Sequence, residues 1–69
     1  MSAFAKKIRK LRESKGLTTR MLAEEIGISC GQISKYENDI NEPTLSVLNK
    51  YKNYFNVTLD YLCDDKEEE

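Results

Sequence analysis

The 69-residue chain is 33% charged and 39% hydrophobic, enough for one domain, and a domain this small buries only about 60% of the surface its unfolded chain exposes. Two cysteines, Cys30 and Cys63, and no histidine exclude a disulfide framework and a zinc site as staples and remove the commonest general base. No apolar run is long enough to span a bilayer or to act as a signal segment behind the N-terminus, so a cytoplasmic protein with no membrane partner is expected.

The net charge of −1 conceals an asymmetry. Residues 1–36 hold eight basic side chains against three acidic ones, and residues 37–69 hold three basic against nine acidic. A basic face with an acidic opposite end can steer a polyanion without a positive total. The plainer alternative is that these charges only solvate helices.

In chain order, Phe4, Ala5, Ile8 and Leu11 recur at helical spacing through Ala3 to Lys15, with basic residues filling the other positions and Gly16 as a natural stop. Leu17 is placed to tuck under the next helix start, which Thr18 can cap. Leu22, Ala23 and Ile26 share one face of that second helix, and Gly27 falls where the chain needs a left-handed residue. Ser29 and Gln32 have the S-x-x-Q spacing of a capping box, so a third helix begins almost at once and must cross the second steeply. Such a pair, Thr18 to Glu37, is the layout of a chain that inserts one helix into DNA.

Asn38 to Pro43 is rich in turn formers, and Pro43 biases Glu42 away from helical angles. Thr44 can cap a fourth helix with Leu45, Leu48, Tyr51 and Phe55 on one stripe. Thr58 and Asp60 can start a fifth short turn carrying Leu59 and Leu62. Phe55 to Leu59 contains β-formers, but a lone strand has no partner here. Residues 64–69 have no apolar side chain to hold them, so the expected domain is 1–63 followed by an acidic, disordered tail.

Three linked motifs carry a family resemblance: R-x-x-x-G-L from Arg12 to Leu17, L-A-x-x-x-G-x-S-x-x-x-I-S-x-x-E from Leu22 to Glu37, and P-T-L from Pro43 to Leu45. Over residues 4–62 the chain resembles the phage-repressor and Cro-like helix-turn-helix family, often called XRE. The resemblance implies an all-α, five-helix, lambda-repressor-like DNA-binding domain with the helix-turn-helix at the second and third helices.

Residue by residue, it implies that Ser29 to Glu37 is the recognition helix, with Cys30, Gln32 and Lys35 facing base edges. Thr18, Thr19, Ser29, Gly31, Ser34 and Asn38 then face the DNA backbone, where helix N-terminal amides and small polar groups take phosphates. Lys35 can donate to guanine and Gln32 can pair with adenine. Capping is as good a reading for Gln32 as base contact, because its amide cannot serve both fully. Arg12 and Glu37 correspond to the family's ion pair, which positions the reading helix and touches no base. Two or three reading residues are few, and relatives double them by forming dimers on palindromic sites. Leu45, Val47, Val57, Leu59 and Tyr61 are the candidates for that interface, whereas Leu48 and Leu62 read as core.

The chain also departs from the family pattern. Thr19 stands where glutamine is common, Gly31 has no side chain to read anything, and Asp39 and Glu42 make acidic a loop that many relatives keep basic. Gly31 weakens its helix by about 0.5–1 kcal/mol relative to alanine, so a close approach to DNA or to a neighbouring side chain is expected there. Lys52 replaces a small alanine and is expected to lay its stem along the core edge. A thiol at a helix N-terminus, as at Cys30, can be redox-sensitive, although a small residue against a thymine methyl is the plainer role.

The function expected is that of a sequence-specific, double-stranded DNA-binding transcriptional regulator, a dimeric repressor on a palindromic operator. It is not expected to be an enzyme, nor to bind a metal, a cofactor or a small-molecule substrate: there is no histidine, no nucleophile beside a base and little room for a pocket. The alternative is a helix-turn-helix protein-interaction module, antitoxin-like or partner-binding, with weak DNA binding. Asp39, Glu42 and Gly31 favour that alternative.

Overall fold

In a computed structural model, described for residues 3–63, five helices follow in order: α1 Ala3–Ser14, α2 Thr19–Ile26, α3 Cys30–Glu37, α4 Leu45–Phe55 and α5 Leu59–Cys63. There is no strand among the described residues, in keeping with the all-α, five-helix expectation. The acidic tail expected at 64–69 lies outside the described residues.

The helix boundaries follow from local chemistry. Thr18, Ser29 and Thr44 all sit in extended backbone as N-caps, and their hydroxyl oxygens accept from the amides of Met21, Gln32 and Val47. Each thereby satisfies one amide that the helix start leaves without an intrahelical partner. Gly27 closes α2 at φ 73°, a left-handed angle that glycine reaches without Cβ strain, and its amide bonds back to Ala23 O. Lys50 Nζ reaches the Gly27 carbonyl at 3.3 Å, placing a cation at the negative end of α2. At the end of α3 the same left-handed role falls to Asp39, at φ 61°, with Ile40 N bonded back to Lys35 O at 2.8 Å.

The expected capping box is only half formed. Ser29 accepts from Gln32 N at 3.1 Å, but among the described residues no bond returns from the Gln32 side chain to Ser29. One cap hydroxyl is enough to start α3, and the Gln32 amide remains at the surface.

Ile8, Leu22, Ile26, Ile28, Ile33, Tyr36, Val47, Tyr51, Phe55 and Leu62 form the core, with Leu11, Leu17 and Leu48 packed against it. On α4 the buried stripe is Val47, Tyr51 and Phe55, and Leu45 is 64% exposed. This corrects the expected stripe. At about 100° per residue, Leu45 lies more than a quarter-turn from the centre of the Val47–Tyr51–Phe55 line, so it cannot share that face. Val47 is accordingly core, which removes it from the candidate dimer surface.

α1 holds a second departure. Lys7, expected among the solvated basic residues, is buried. It stands one helical turn after Phe4 and one before Leu11, so its stem lies on the apolar face. Its Nζ donates to the Tyr61 carbonyl at 2.7 Å and sits 4.9 Å from the Tyr61 ring centroid. Lys7 therefore fastens α5 to α1, a positive charge at a helix C-terminus.

Candidate nucleic-acid interface

The two helix starts of the helix-turn-helix meet at their first residues. Thr19 Oγ1 lies 3.3 Å from Cys30 Sγ, linking the first turn of α2 to the first turn of α3. Thr18 and Ser29, the respective N-caps, are exposed beside this contact. Both hydroxyls accept from amides of their own helices, which leaves their O–H groups free to donate. Cys30 is half-buried and both Cys30 and Cys63 are free thiols.

Along α3, Gly31, Gln32, Ser34 and Lys35 are exposed, while Ile33, Tyr36 and Glu37 turn inward. A Cβ built on Gly31 would meet nothing within 4 Å. A neighbouring side chain therefore does not explain the glycine.

The far end of α3 is held from α1. Arg12 donates from Nε and Nη2 to the two Glu37 carboxylate oxygens at 2.8 and 2.9 Å, and from Nη1 to Leu17 O at 2.7 Å. The Glu37 side chain is 3% exposed and that of Arg12 13%. The hydrogen bonds that Arg12 donates to Glu37 raise its pKa above the ordinary arginine value, against the opposing effect of burial. Through Leu17, the residue before the Thr18 cap, the same guanidinium also touches the entry to α2. One side chain thus ties the C-terminal end of α3 to the N-terminal end of α2.

Asn38 is more occupied than its assigned role suggests. Its Nδ2 donates to Ser34 O at 2.8 Å and lies 3.3 Å from Ser34 Oγ, and its Oδ1 accepts from Arg9 Nη2 at 3.2 Å. Arg9 also approaches Glu37, with Nε 3.5 Å from Oε1. Arg9 has one signal in the sequence, its position three residues before Arg12, on the same face of α1. The same periodicity puts Lys7 on the apolar face.

Of the candidate dimer residues, Leu45 is exposed, Val57, Leu59 and Tyr61 are half-buried, and Val47 is inside. Tyr61 is engaged with Lys7 through its ring and its carbonyl. Ile40, which the sequence did not single out, is 67% exposed. Among the described residues no helix is long and apolar enough to cross a membrane, and no group of three or more His, Cys, Asp or Glu could hold a metal ion.

Residues 8–62 match the family described as Helix-turn-helix. The chain is 32% identical over 65 residues to the HTH-type transcriptional regulator ImmR of Bacillus subtilis, covering 94% of this chain and 51% of that protein. It is 36% identical over 64 residues to the HTH-type transcriptional activator BcrR of Enterococcus faecalis, covering 93% of this chain and 31% of that one. The chain thus spans about half or less of the length of these two relatives. Among solved structures, the N-terminal DNA-binding domain of SinR from Bacillus subtilis superposes with a TM-score of 0.85 at 27% identity, over 94% of this chain and 96% of that one. SinR in complex with DNA gives 0.82 at 26% identity, over 88% and 98%. Helix order, caps, the Arg12–Glu37 clasp and these likenesses agree: the chain belongs to the phage-repressor and Cro-like (XRE) helix-turn-helix family.

Proposed function

We propose that this chain is a sequence-specific regulator of transcription that lays α3 in the major groove of double-stranded DNA. The observation that carries the reading is the division of α3 into two faces. Ile33, Tyr36 and Glu37 are locked inward, and Gln32 and Lys35 stand exposed on the other side. Lys35 donates to guanine O6 or N7. Gln32, whose side chain is not drawn into the cap, offers both halves of its amide to an adenine edge, and each such pair is worth roughly 1–3 kcal/mol of discrimination. Cys30, held against Thr19, supplies apolar contact to a thymine methyl.

Thr18, Thr19, Ser29, Gly31, Ser34 and Asn38 contact the sugar–phosphate backbone and fix register without reading sequence. A single α3 reads too little for high specificity, so the protein binds as a homodimer on a palindromic site with half-sites about one helical turn apart. Leu45, Val57, Leu59 and Tyr61 form the dimer surface. The protein acts in the cytoplasm as a repressor, by occupying its operator, and performs no catalysis. That SinR is seen bound to DNA supports the binding step. That BcrR is described as an activator keeps occupancy, rather than the sign of regulation, at the centre of the reading.

Selection of bound duplexes from a random library tests the proposal. A palindromic consensus is expected, and recovery of unenriched sequence would overturn specific reading. Beside the acids Asp39 and Glu42 and the bare Gly31, the exposed Ile40 and Leu45 also favour the partner-binding alternative. A protein that works only through such a partner would show little duplex binding at any salt concentration.

A further inference from the structure

Arg9 and Arg12 both reach the C-terminal end of α3, but they are not equivalent there. Arg12 saturates the Glu37 carboxylate with two short bonds and is almost enclosed, whereas Arg9 stays at 3.5 Å and keeps 38% of its side chain exposed. One carboxylate between two guanidinium groups leaves the trio with a surplus positive charge. Exposure places that surplus on Arg9, because Arg12 is already neutralised at close range.

The remaining geometry gives that charge a direction. Arg9 Nη2 donates to Asn38 Oδ1, which turns the acceptor half of the Asn38 amide toward α1 and its donor half, Nδ2, toward Ser34. A guanidinium has five N–H donors in a rigid fork. The hydrogen bond to Asn38 uses Nη2 and the ion pair with Glu37 faces Nε, and among the described residues Nη1 makes no hydrogen bond. An exposed fork with Nη1 and the second Nη2 hydrogen still free is the donor pattern that takes a phosphate through two oxygens.

We infer that Arg9, steadied by Asn38, is itself a phosphate ligand that takes one backbone phosphate at the C-terminal end of α3. The inference rests on the DNA-binding reading above and adds to it a residue outside the helix-turn-helix. It also divides the basic cluster of α1 by role: Lys7 fastens α5, Arg12 sets the angle of α3, and Arg9 meets the DNA.

The test is a salt titration of affinity for a mixed-sequence duplex, with wild type, Arg9→Gln and Arg9→Lys, each checked by thermal melting. A lost phosphate contact lowers the slope of log affinity against log salt by about 0.9. Arg9→Gln is expected to show that drop with an unchanged melting temperature, and Arg9→Lys, which keeps the charge, to retain the wild-type slope. Should glutamine lower the melting temperature, Arg9→Met repeats the test with the aliphatic stem preserved. A neutral variant with the wild-type slope overturns the inference, whether its affinity is unchanged or reduced by one factor at every salt concentration; the second pattern would make Arg9 only a support for Asn38. A flat wild-type curve would instead sink the DNA-binding reading itself, and the inference with it.

Discussion

Arg12 and Glu37, 25 positions apart, meet through two parallel hydrogen bonds of 2.8 and 2.9 Å, and the third bond of the guanidinium goes to the residue before the α2 cap. This clasp makes α1 the element that sets where α3 points. A carboxylate beside a polyanion repels it, so Glu37 is compatible with DNA binding only while a cation screens it.

Replacing Arg12 with alanine leaves a buried carboxylate. Breaking a buried pair costs about 3–5 kcal/mol; with Arg9 still 3.5 Å away, a loss at the low end of that range is expected. Removing both partners, as in Arg12→Met with Glu37→Leu, should cost less than Arg12→Ala alone. Denaturant unfolding of the three proteins measures this. Equal losses would show that the charges contribute little to the clasp.

Gly31→Ala separates stability from function. The position is helical and exposed and its Cβ would meet nothing within 4 Å, so alanine should stabilise the fold by about 0.5–1 kcal/mol. If the α3 backbone lies close against DNA, the same methyl weakens duplex affinity. Raised melting temperature together with weakened binding is the expected pair of results, and unchanged affinity would remove close approach as the reason for the glycine.

Tyr51 is fully buried, with no hydrogen-bond partner for its hydroxyl among the described residues. Burial first, and then the nearby Glu37, push its pKa well above the ordinary tyrosine value of 10.0. At neutral pH both folded and unfolded chains keep the proton. As pH rises through 10, the unfolded chain releases it and the folded chain does not, so stability falls on the alkaline side. Tyr51→Phe removes a desolvated, unpaired group worth about 1–3 kcal/mol while keeping the ring contacts to Phe4 and Phe55. It should be at least as stable as wild type at neutral pH and lose less above pH 10, as followed by urea unfolding at the two pH values.

Much of this architecture is legible in the sequence because it depends on local signals. Thr18, Ser29 and Thr44 announce helix starts, Gly27 announces a stop, and the apolar spacing of α2 gives its inward face. What escaped depends on tertiary partners or on phase. Lys7 looks like one more surface cation until its place between Phe4 and Leu11 and the carbonyl of Tyr61 are seen together. Leu45 and Val47 exchange roles because periodicity alone did not fix the rotation of α4. Asp39 was assigned to a loop without its left-handed closing role, since aspartate is an uncommon choice there and gives a weaker signal than glycine. Arg9 carries no motif of its own, and its meaning comes from Asn38, 29 positions away.

The exposed Leu45 offers a cleaner probe of self-association than Tyr61, whose ring already packs against Lys7. Leu45→Asp is expected to leave the melting temperature nearly unchanged, lower the mass measured by light scattering toward the monomer, and weaken binding to a palindromic duplex more than to a single half-site. A wild-type mass that does not change on substitution would place the interface elsewhere.

In the proposed division of labour, Gln32 and Lys35 read bases while the residues around them position and hold. A comparison of the base preferences of wild type and Lys35→Ala, selected from the same random duplex library, separates the two roles. The variant is expected to keep the palindrome and its spacing but to lose preference at one base pair in each half-site. A variant that binds every sequence more weakly by the same factor, with the consensus intact at every position, would contradict it.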